Sequence, residues 1–560
     1  MESLGFFVIN GRTADDTPAK FTYMSNRGSS VIDLFWSNRN GLDLVGNFKV
    51  VDLVSRSDHF PIMMEMNLLS DNILNKNELK LKWKRHQADV YCEMMQWMNS
   101  IKNLSGDINC LDDNFNSSIV SVARKLNMLV SNKNKLRKKP WILNTSCMQS
   151  KNDLKMKLQN CVENNFSLEY KKEYVSAKQV YKRSLLESKK MYIDNKIQII
   201  SDTKNSKDFW NEINFYRKPV MNNSNPIGIK EWCVFFRGKF ENSLTYNQKV
   251  FVKNLNPLLD DEIAIDEIYH VLKNCKNNKA PGANAITNEF IKNLPENWIL
   301  YLNCLFNKVL ELEHTPNSWS EIIISMLYKN KGPKNCPENY RPIALVNCIV
   351  IIFTKIVENR LTKWCEINNV LPEWQNGFRR GRSCLDNIFT LNALIQFHLN
   401  KCKGKVYAAF IDFKSAFPSV KHNLLWDKLL KMGISSKIVN ILIDLYSKAV
   451  MKIKNGKDFS DPIKITEGVL QGESLSPLLF SLFLQDIENF FLKSGIRGIS
   501  LNHITEILLL GYADDIVFFS ESYIGMKKIF KTLFEYCKIN ELEVNIKLGA
   551  PPLRQPLWGV

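Results

Sequence analysis

The sequence predicts a large α+β domain over residues 236–548, with a basic helical segment and a β-rich stretch ahead of it. Three observations carry this prediction. Apolar density rises near residue 236 and stays high to about 546. Within that region, runs with helical spacing alternate with β-type runs. Two of the β-type runs flank adjacent aspartates, as the arms of a hairpin would. At ~100–200 residues per domain, a chain of 560 residues has room for two to four folded units.

In chain order, residues 1–69 read as β-rich. SSVIDLFWS, FKVVDLV and PIMMEMNL are short apolar runs with β-branched residues, joined by the polar turns SNRNGLD and SRSDHF. Residues 70–235 change to Lys-, Asn- and Glu-rich helix formers of thin apolar content, a basic helical linker. The block KNKLRKKPW (133–141) and the aromatic–cation mixtures YKRSLLESKKMY (181–192) and DFWNEINFYRK (208–218) suit either a solvated helix face or a nucleic-acid surface. In the main domain, EIYHVLKNC (267–275) and WILYLNCLFNKVLELE (298–313) have helical periodicity. EIIISMLYK (321–329), KVYAAFIDF (405–413), KITEGVL (464–470) and EILLLGYADDIVFFS (506–520) read as strands. Residues 549–560, GAPPLRQPLWGV, form an irregular Pro- and Gly-rich tail.

Apolar residues at 45% and charged residues at 24% are ordinary globular values and exclude wholesale disorder. Lys plus Arg number 75 against 57 Asp plus Glu, a net charge of +18. That excess points to a polyanionic partner, nucleic acid or an anionic surface. The longest apolar run, IALVNCIVIIF (343–353), is too short for a membrane span and contains Asn347. The N-terminus has no positively charged leader or small-residue cleavage site, so the expectation is a cytoplasmic and nuclear protein that is not secreted. The 13 cysteines lack any CxxC spacing and read as reduced, mostly buried thiols. His86, His270, His314, His398, His422 and His503 form no ligand-spaced set and read as structural.

The chemistry concentrates in four places. ILLLG and IVFFS flank Tyr512-Ala513-Asp514-Asp515, a hairpin whose tip bears two carboxylates. Asp412 follows the apolar run VYAAFI and should close a buried strand. Alone, each of these fits an ordinary turn or cap. Together, three carboxylates at two strand ends would repel unless they held cations, and oxygen ligands suit Mg²⁺. Two such ions are a standard device for in-line phosphoryl transfer. GVLQGESLSPLLF (468–480) sets Gln471 and Gly472 before an apolar helix, with Ser-x-Ser-Pro suited to its start and Pro477 in the first turn. Lys329, Lys331, Lys334 and Arg341 gather around Gly and Pro turns, as a triphosphate site or a plain basic loop would.

The order of these blocks resembles the reverse transcriptase of LINE-type (non-long-terminal-repeat) retrotransposons. The resemblance runs through NKAPGANAI (278–286), LYKNKGPKNCPENYRPIAL (327–345), LPEWQNGFRRGRSCLDNI (371–388), FIDFKSAFPSV (410–420), GVLQGESLSPLLFSLFL (468–484) and YADDIVFF (512–519). It implies a right-hand polymerase with fingers and palm, and RNA-directed DNA polymerisation primed from a nicked chromosomal target. By that resemblance Asp412, Asp514 and Asp515 form the catalytic triad and hold two Mg²⁺ ions, or Mn²⁺. Phe417 resembles the gate against a ribose 2′-hydroxyl. Gln471 resembles the residue that steadies the primer end and nucleotide, and Lys329 and Arg341 the cations that hold the triphosphate. The implied partners are an RNA template, a DNA primer or target DNA, and deoxynucleoside triphosphates, with no membrane.

The N-terminal stretch resembles the last third of an apurinic-type endonuclease of the exonuclease/phosphatase class, a partial α/β sandwich. Asp33 matches its Ser-x-Ile-Asp motif, and Asp58 and His59 its closing pair, in which the Asp orients a His that contacts the scissile phosphate. The family's metal-binding Glu and Gly-Asp-x-Asn motif have no counterpart here, so the expectation is an inactive fragment. Asn284 and Ala285 stand where the family usually has Asp and Gly. The match is expected to stop at LEVNIK (542–547), ahead of the thumb. A second reading is a catalytically silent remnant that binds RNA through its basic surface; the intact aspartates favour the enzyme and the missing thumb favours the remnant.

Overall fold

FKVVDLV and PIMMEMNL supply strands near the N-terminus, SSVIDLFWS is strand only at its two ends, and helix formers after residue 144 form two long helices, in a computed structural model of the chain. It describes residues 5–25, 28–51, 57–66, 81–98, 106–129, 144–203, 205, 209–210, 213, 226–241, 249–250, 254–400, 405–456, 458–501 and 505–545. The basic block 133–141, most of 208–218, His503 and the tail 549–560 lie outside the described residues. By their contacts the residues divide into two units, 1–78 with 131–221, and 79–130 with 222–560.

In the first unit, strands β1 (Phe6–Val8), β2 (Tyr23–Ser25), β3 (Gly28–Ser30), β4 (Trp36–Asn38), β5 (Val45–Val50) and β6 (Ile62–Met66) pair as β1–β4, β2–β3 and β5–β6, all antiparallel. Among the described residues these remain three separate pairs. The helices Thr145–Glu163 and Leu168–Asp202 pack as a hairpin. The second helix buries Tyr174, Ala177, Lys178, Tyr181, Leu185 and Ser188, spacings of three and four that mark one face. That stripe joins Met24 of β2, Val50 of β5 and Phe60, just ahead of β6, in one apolar cluster. Helix and strands therefore share a core, although 70–235 reads in the sequence as a separate linker.

The rest of that linker belongs to the second unit. The helices Ala88–Trp97 and Ile108–Lys125 bury Tyr91, Met95, Leu111, Phe115, Ile119 and Val122 in its main core. Trp298 Nε1 donates to the Met95 carbonyl at 2.8 Å, and the Tyr301 hydroxyl to that of Leu111 at 2.9 Å. Each large apolar side chain so buried contributes about 1.5–3 kcal/mol, enough to draw a polar-looking segment into the fold.

Two sheets organise this unit. In the first, β7 (Glu321–Tyr328) pairs antiparallel with β8 (Tyr340–Leu345). On its other side β7 runs parallel to β10 (Val450–Asn455), which also pairs with β11 (Asp458–Phe459) and β12 (Ile463–Lys464). A short antiparallel pair, β13 (Ile499–Ser500) and β14 (Glu506–Ile507), precedes the second sheet, which has the order β15 (Leu509–Tyr512), β16 (Asp515–Ser520), β9 (Tyr407–Asp412), all antiparallel. Helices Glu296–Leu312 and Cys348–Ile367 contribute to the main core. Helix Cys384–Asn400 packs Leu394 against Leu510, Val517 and Phe519 of the second sheet. KITEGVL is a strand only at its start. From Thr466 onward its amides bond to the carbonyls of Phe240, Val420 and Phe417 instead of a ladder.

Among the described residues no helix is long and apolar enough to cross a membrane. Their twelve cysteines are free thiols, five buried, four partly buried and three exposed, a more mixed set than the mostly buried thiols the sequence suggests.

Candidate active site

The arms of EILLLGYADDIVFFS form the hairpin that their apolar runs predict. Tyr512 pairs with Asp515, leaving Ala513 and Asp514 as a two-residue turn. Ala513 has φ +60°, the positive value that the first central position of a tight hairpin can require. Asp515 opens β16 and lies directly opposite Asp412, the last residue of β9. Asp412 is exposed, not buried as the sequence suggests. Side chains alternate along β9, so Ala408, Phe410 and Asp412 share its exposed face while Ala409 and Ile411 enter the core.

Burial raises the Asp514 carboxyl above its ordinary range, and the Asp412 charge adds to it. Asp515 is raised by burial first, then by Asp514 and Asp412. Among the described residues no Lys, Arg or His forms an ion pair with any of the three. Asp412 Oδ2 accepts a hydrogen bond from the Asn545 amide at 2.9 Å, and its carbonyl accepts from the Asn545 N–H at 2.8 Å. Among the described residues no group of three or more His, Cys, Asp or Glu side chains is placed to hold a metal ion as it stands. The donor set nonetheless has the chemistry of a divalent site: three carboxylates at adjacent positions with no cationic partner of their own, which suits a hard ion.

A cleft of about 660 Å³ opens beside these carboxylates, and Lys329, Arg341, Asp412, Phe417, Gln471 and Asp514 all line it. Six of the seven sequence-identified residues of this unit thus meet at one place, and Asp515 adjoins it through its pairing with Asp412. Of the four cations in 329–341, Lys329 and Arg341 line the cleft. Lys334 instead lies over the Tyr328 ring, 5.8 Å from its centroid. Lys329 Nζ donates to the Glu338 carbonyl at 2.7 Å. Phe417 stacks on Phe480, with centroids 5.0 Å apart and planes 12° from parallel.

The Gln471 loop is held by its carbonyl, which accepts from the Ala344 N–H at 2.8 Å. Gly472 has φ +109°, and a Cβ there would lie 3.2 Å from the Ala344 carbonyl, so glycine is required for that approach. The following helix, Ser476–Phe483, has Pro477 in its first turn as expected, but neither serine caps it. The buried Glu473 carboxylate accepts from the N–H groups of Leu475 and Ser476, each at 2.9 Å. A charged acceptor two residues upstream does what the Ser-x-Ser-Pro pattern assigns to a hydroxyl.

Sequence reasoning misses Lys239, Lys414 and Asn545, which also line the cleft. Lys239 extends from the helix Ile229–Phe240 over the Phe235 ring and donates to Ser415 Oγ at 3.1 Å. Burial pushes its ammonium down; Glu338 offsets part of this, and Lys329 and Lys414 add to it. Lys239 stands in an aromatic helix far ahead of the motif blocks, where no local signal singles it out.

In the first unit the structure reassigns a pairing. His59 Nδ1 is 2.8 Å from Asp33 Oδ2, so Asp33 orients the imidazole. The sequence reading gives that role to Asp58, but neighbours in an extended segment point to opposite sides. Asp58 is held by Lys178 at 3.1 Å and Lys182 at 3.5 Å. The Lys178 hydrogen bond holds the Asp58 carboxyl below its ordinary range, and burial lowers Lys178.

Residues 328–547, which carry these aspartates and the cations across the cleft from them, match the family model "Reverse transcriptase (RNA-dependent DNA polymerase)". The segment is a reverse transcriptase domain. The chain is 30% identical to the "Probable RNA-directed DNA polymerase from transposon BS" of Drosophila melanogaster, over 50% of this chain and 31% of that protein. It is 27% identical to the "RNA-directed DNA polymerase from mobile element jockey" of Drosophila funebris, over 60% and 38%. These relatives place the domain with the LINE-type, non-long-terminal-repeat reverse transcriptases. The chain spans about a third of the length of these relatives. Among solved structures, an apo telomerase from Candida Tropicalis aligns at TM-score 0.32 and 12% identity, over 50% of this chain and 59% of that one.

Proposed function

We propose that the second unit is an RNA-directed DNA polymerase that extends a DNA primer on an RNA template, in the manner of target-primed reverse transcription. The observation that carries this is the convergence of Lys329, Arg341, Asp412, Phe417, Gln471 and Asp514 on one cleft. On this reading the sheet β15–β16–β9 is the palm, and β7, β8 and their loop belong to the fingers. Asp412, Asp514 and Asp515 hold two divalent cations, Mg²⁺ or Mn²⁺, which would acidify the primer hydroxyl and neutralise charge on the transferring phosphate. Lys329, Arg341 and the cations beside them receive the triphosphate. Arg341 is exposed and, among the described residues, has no carboxylate partner of its own. Phe417, braced by Phe480, presents a flat wall where a deoxyribose fits and a 2′-hydroxyl meets the ring. Gln471, on a loop fixed to β8 through Ala344, steadies the primer end and the incoming nucleotide. The first unit is read as an endonuclease remnant without hydrolase activity: hydrolysis needs a metal held by carboxylates, and Asp33 is engaged by His59 while Asp58 is engaged by Lys178 and Lys182.

The test is primer extension on an RNA template with deoxynucleotides and Mg²⁺. Extension by the full chain that disappears in Asp514→Asn, with RNA affinity retained, supports the enzyme. RNA binding with no extension in any divalent cation supports a silent remnant instead.

A further inference from the structure

The turn that carries Asp514 is held from outside its own hairpin. Residues 374–377 run beside β15 on the edge opposite β16, with Gln375 in a parallel bridge to Gly511. The Gly511 N–H donates to the Trp374 carbonyl at 2.7 Å, and the Asn376 N–H to that of Gly511 at 3.0 Å. Beyond Gly511 the backbone pairing stops and a side chain takes over. Gln375 Oε1 accepts from the Ala513 N–H at 2.9 Å, and Gln375 Nε2 donates to the Ala513 carbonyl at 3.0 Å. Oε1 also accepts from the Gly377 N–H at 2.9 Å. The Gln375 residue is 2% exposed, so water does not compete for these bonds.

Ala513 is the residue with φ +60°, a backbone conformation that a Cβ disfavours. Glycine ordinarily fills such a position. One primary amide satisfies both backbone groups of the strained residue, one as acceptor and one as donor. Asn is one methylene too short from the same backbone, and ionised Glu has no donor for the carbonyl. The approach is tight as well: a Cβ on Gly377 would lie 2.2 Å from the Ala513 nitrogen.

We propose that Gln375 is a positioning residue that clamps Ala513 in its left-handed conformation and so sets the directions of Asp514 and Asp515. It touches no substrate and acts through the turn. The inference rests on the polymerase reading of the same site.

The experiment compares the full chain with Gln375→Leu, Gln375→Glu, Ala513→Gly and the double variant Gln375→Leu/Ala513→Gly. Nucleotide addition, KM for deoxynucleotide, template–primer affinity and amide hydrogen exchange at 512–516 are measured on each. Gln375→Leu is expected to slow addition about 10²-fold, the scale of a misplaced catalytic group, with KM and template–primer affinity near wild type. Its 512–516 amides should exchange faster. Ala513→Gly in the same chain should recover most of the rate, because glycine adopts the turn without the clamp; a merely structural Gln375 gives no such rescue. Gln375→Glu keeps the side-chain shape and serves if the leucine variant fails to fold. Wild-type rates and protected 512–516 amides in both Gln375 variants overturn the clamp, as does a folded Gln375→Leu chain that Ala513→Gly fails to rescue. If the unaltered chain adds no nucleotide, the polymerase reading fails, and the exchange at 512–516 alone decides the clamp.

Discussion

Asp412 and Asp515 are cross-strand partners at the ends of β9 and β16, two like charges set opposite each other at the mouth of a cleft. Such a pair weakens a sheet unless something neutralises it. The cost falls at one point of an otherwise apolar sheet: Ile411 and Ile516 are the next pair inward and both are buried. The strand pair is thus stable enough to carry a tip that would not be stable alone.

Replacing Asp514 or Asp515 by Asn is expected to reduce primer extension by about 10³-fold or more, the several kcal/mol of transition-state stabilisation that a metal ligand supports. RNA affinity should hardly change, since phosphate contacts elsewhere persist. With chelator present at neutral pH, Asp515→Asn should melt higher than the unaltered chain, because one of two opposed charges is gone. Full extension activity in Asp412→Ala removes the triad from the mechanism.

Much of this site was legible in the sequence because its parts are local. The YADD hairpin follows from two β-type runs around a polar pair, and the close backbone approach of the Gln471 loop from Gly472. The bonds that hold those parts together were not legible. Gln375 lies 138 positions from Ala513, and Glu473 displaced two serines that fit a cap pattern better. The division of 70–235 between two cores is hidden for a related reason: Tyr91, Met95 and Phe115 are sparse among polar neighbours, and only the partner helix at Trp298 and Tyr301 shows that they form a buried face. Periodicity reveals which side of an element is apolar but not what covers it.

Phe417→Val should raise ribonucleotide over deoxynucleotide incorporation by about 10–10²-fold, the usual range for a shape change in a pocket. It also removes a ring stacked on Phe480, so a stability loss of roughly 1–2 kcal/mol accompanies it. An unchanged incorporation ratio with that stability loss would make Phe417 a packing residue only.

The Lys178–Asp58 pair should be asymmetric. Asp58→Asn leaves a buried ammonium without its counter-charge and is expected to destabilise the first unit by about 1–3 kcal/mol. Lys178→Met leaves a carboxylate that is about half exposed and keeps Lys182, so it should cost less. Asp58 is depressed below its ordinary value of 3.8. Its contribution is therefore full above that value and is lost as pH falls through the lower folded-state value. Acid melts of Asp58→Asn should lack that loss. With Asp33 engaged by His59 and Asp58 by the two lysines, neither carboxylate is left for a metal, and the chain should not nick supercoiled plasmid; metal-dependent nicking abolished by His59→Ala would refute the remnant reading.

Lys239 is expected to belong to the phosphate-binding wall of the cleft. It is buried enough to be depressed, lies beside Lys329 and Lys414, and among the described residues has no carboxylate within ion-pair distance. Among the described residues its ammonium bonds to Ser415 Oγ, which satisfies one of three donors. An anion entering the cleft would supply the missing compensation, and the two available sources are a nucleotide triphosphate and a nucleic-acid backbone. Lys239→Gln retains a donor for Ser415 while removing the charge, so it separates packing from electrostatics. A triphosphate contact predicts a KM for deoxynucleotide raised about 10-fold or more, from one charge-assisted hydrogen bond of about 1.5–3 kcal/mol. Template–primer affinity and its salt dependence would stay as they are. A backbone contact predicts the reverse, an unchanged KM and a salt slope smaller by about 1. If neither quantity moves, Lys239 serves only to pin its helix to the Ser415 turn.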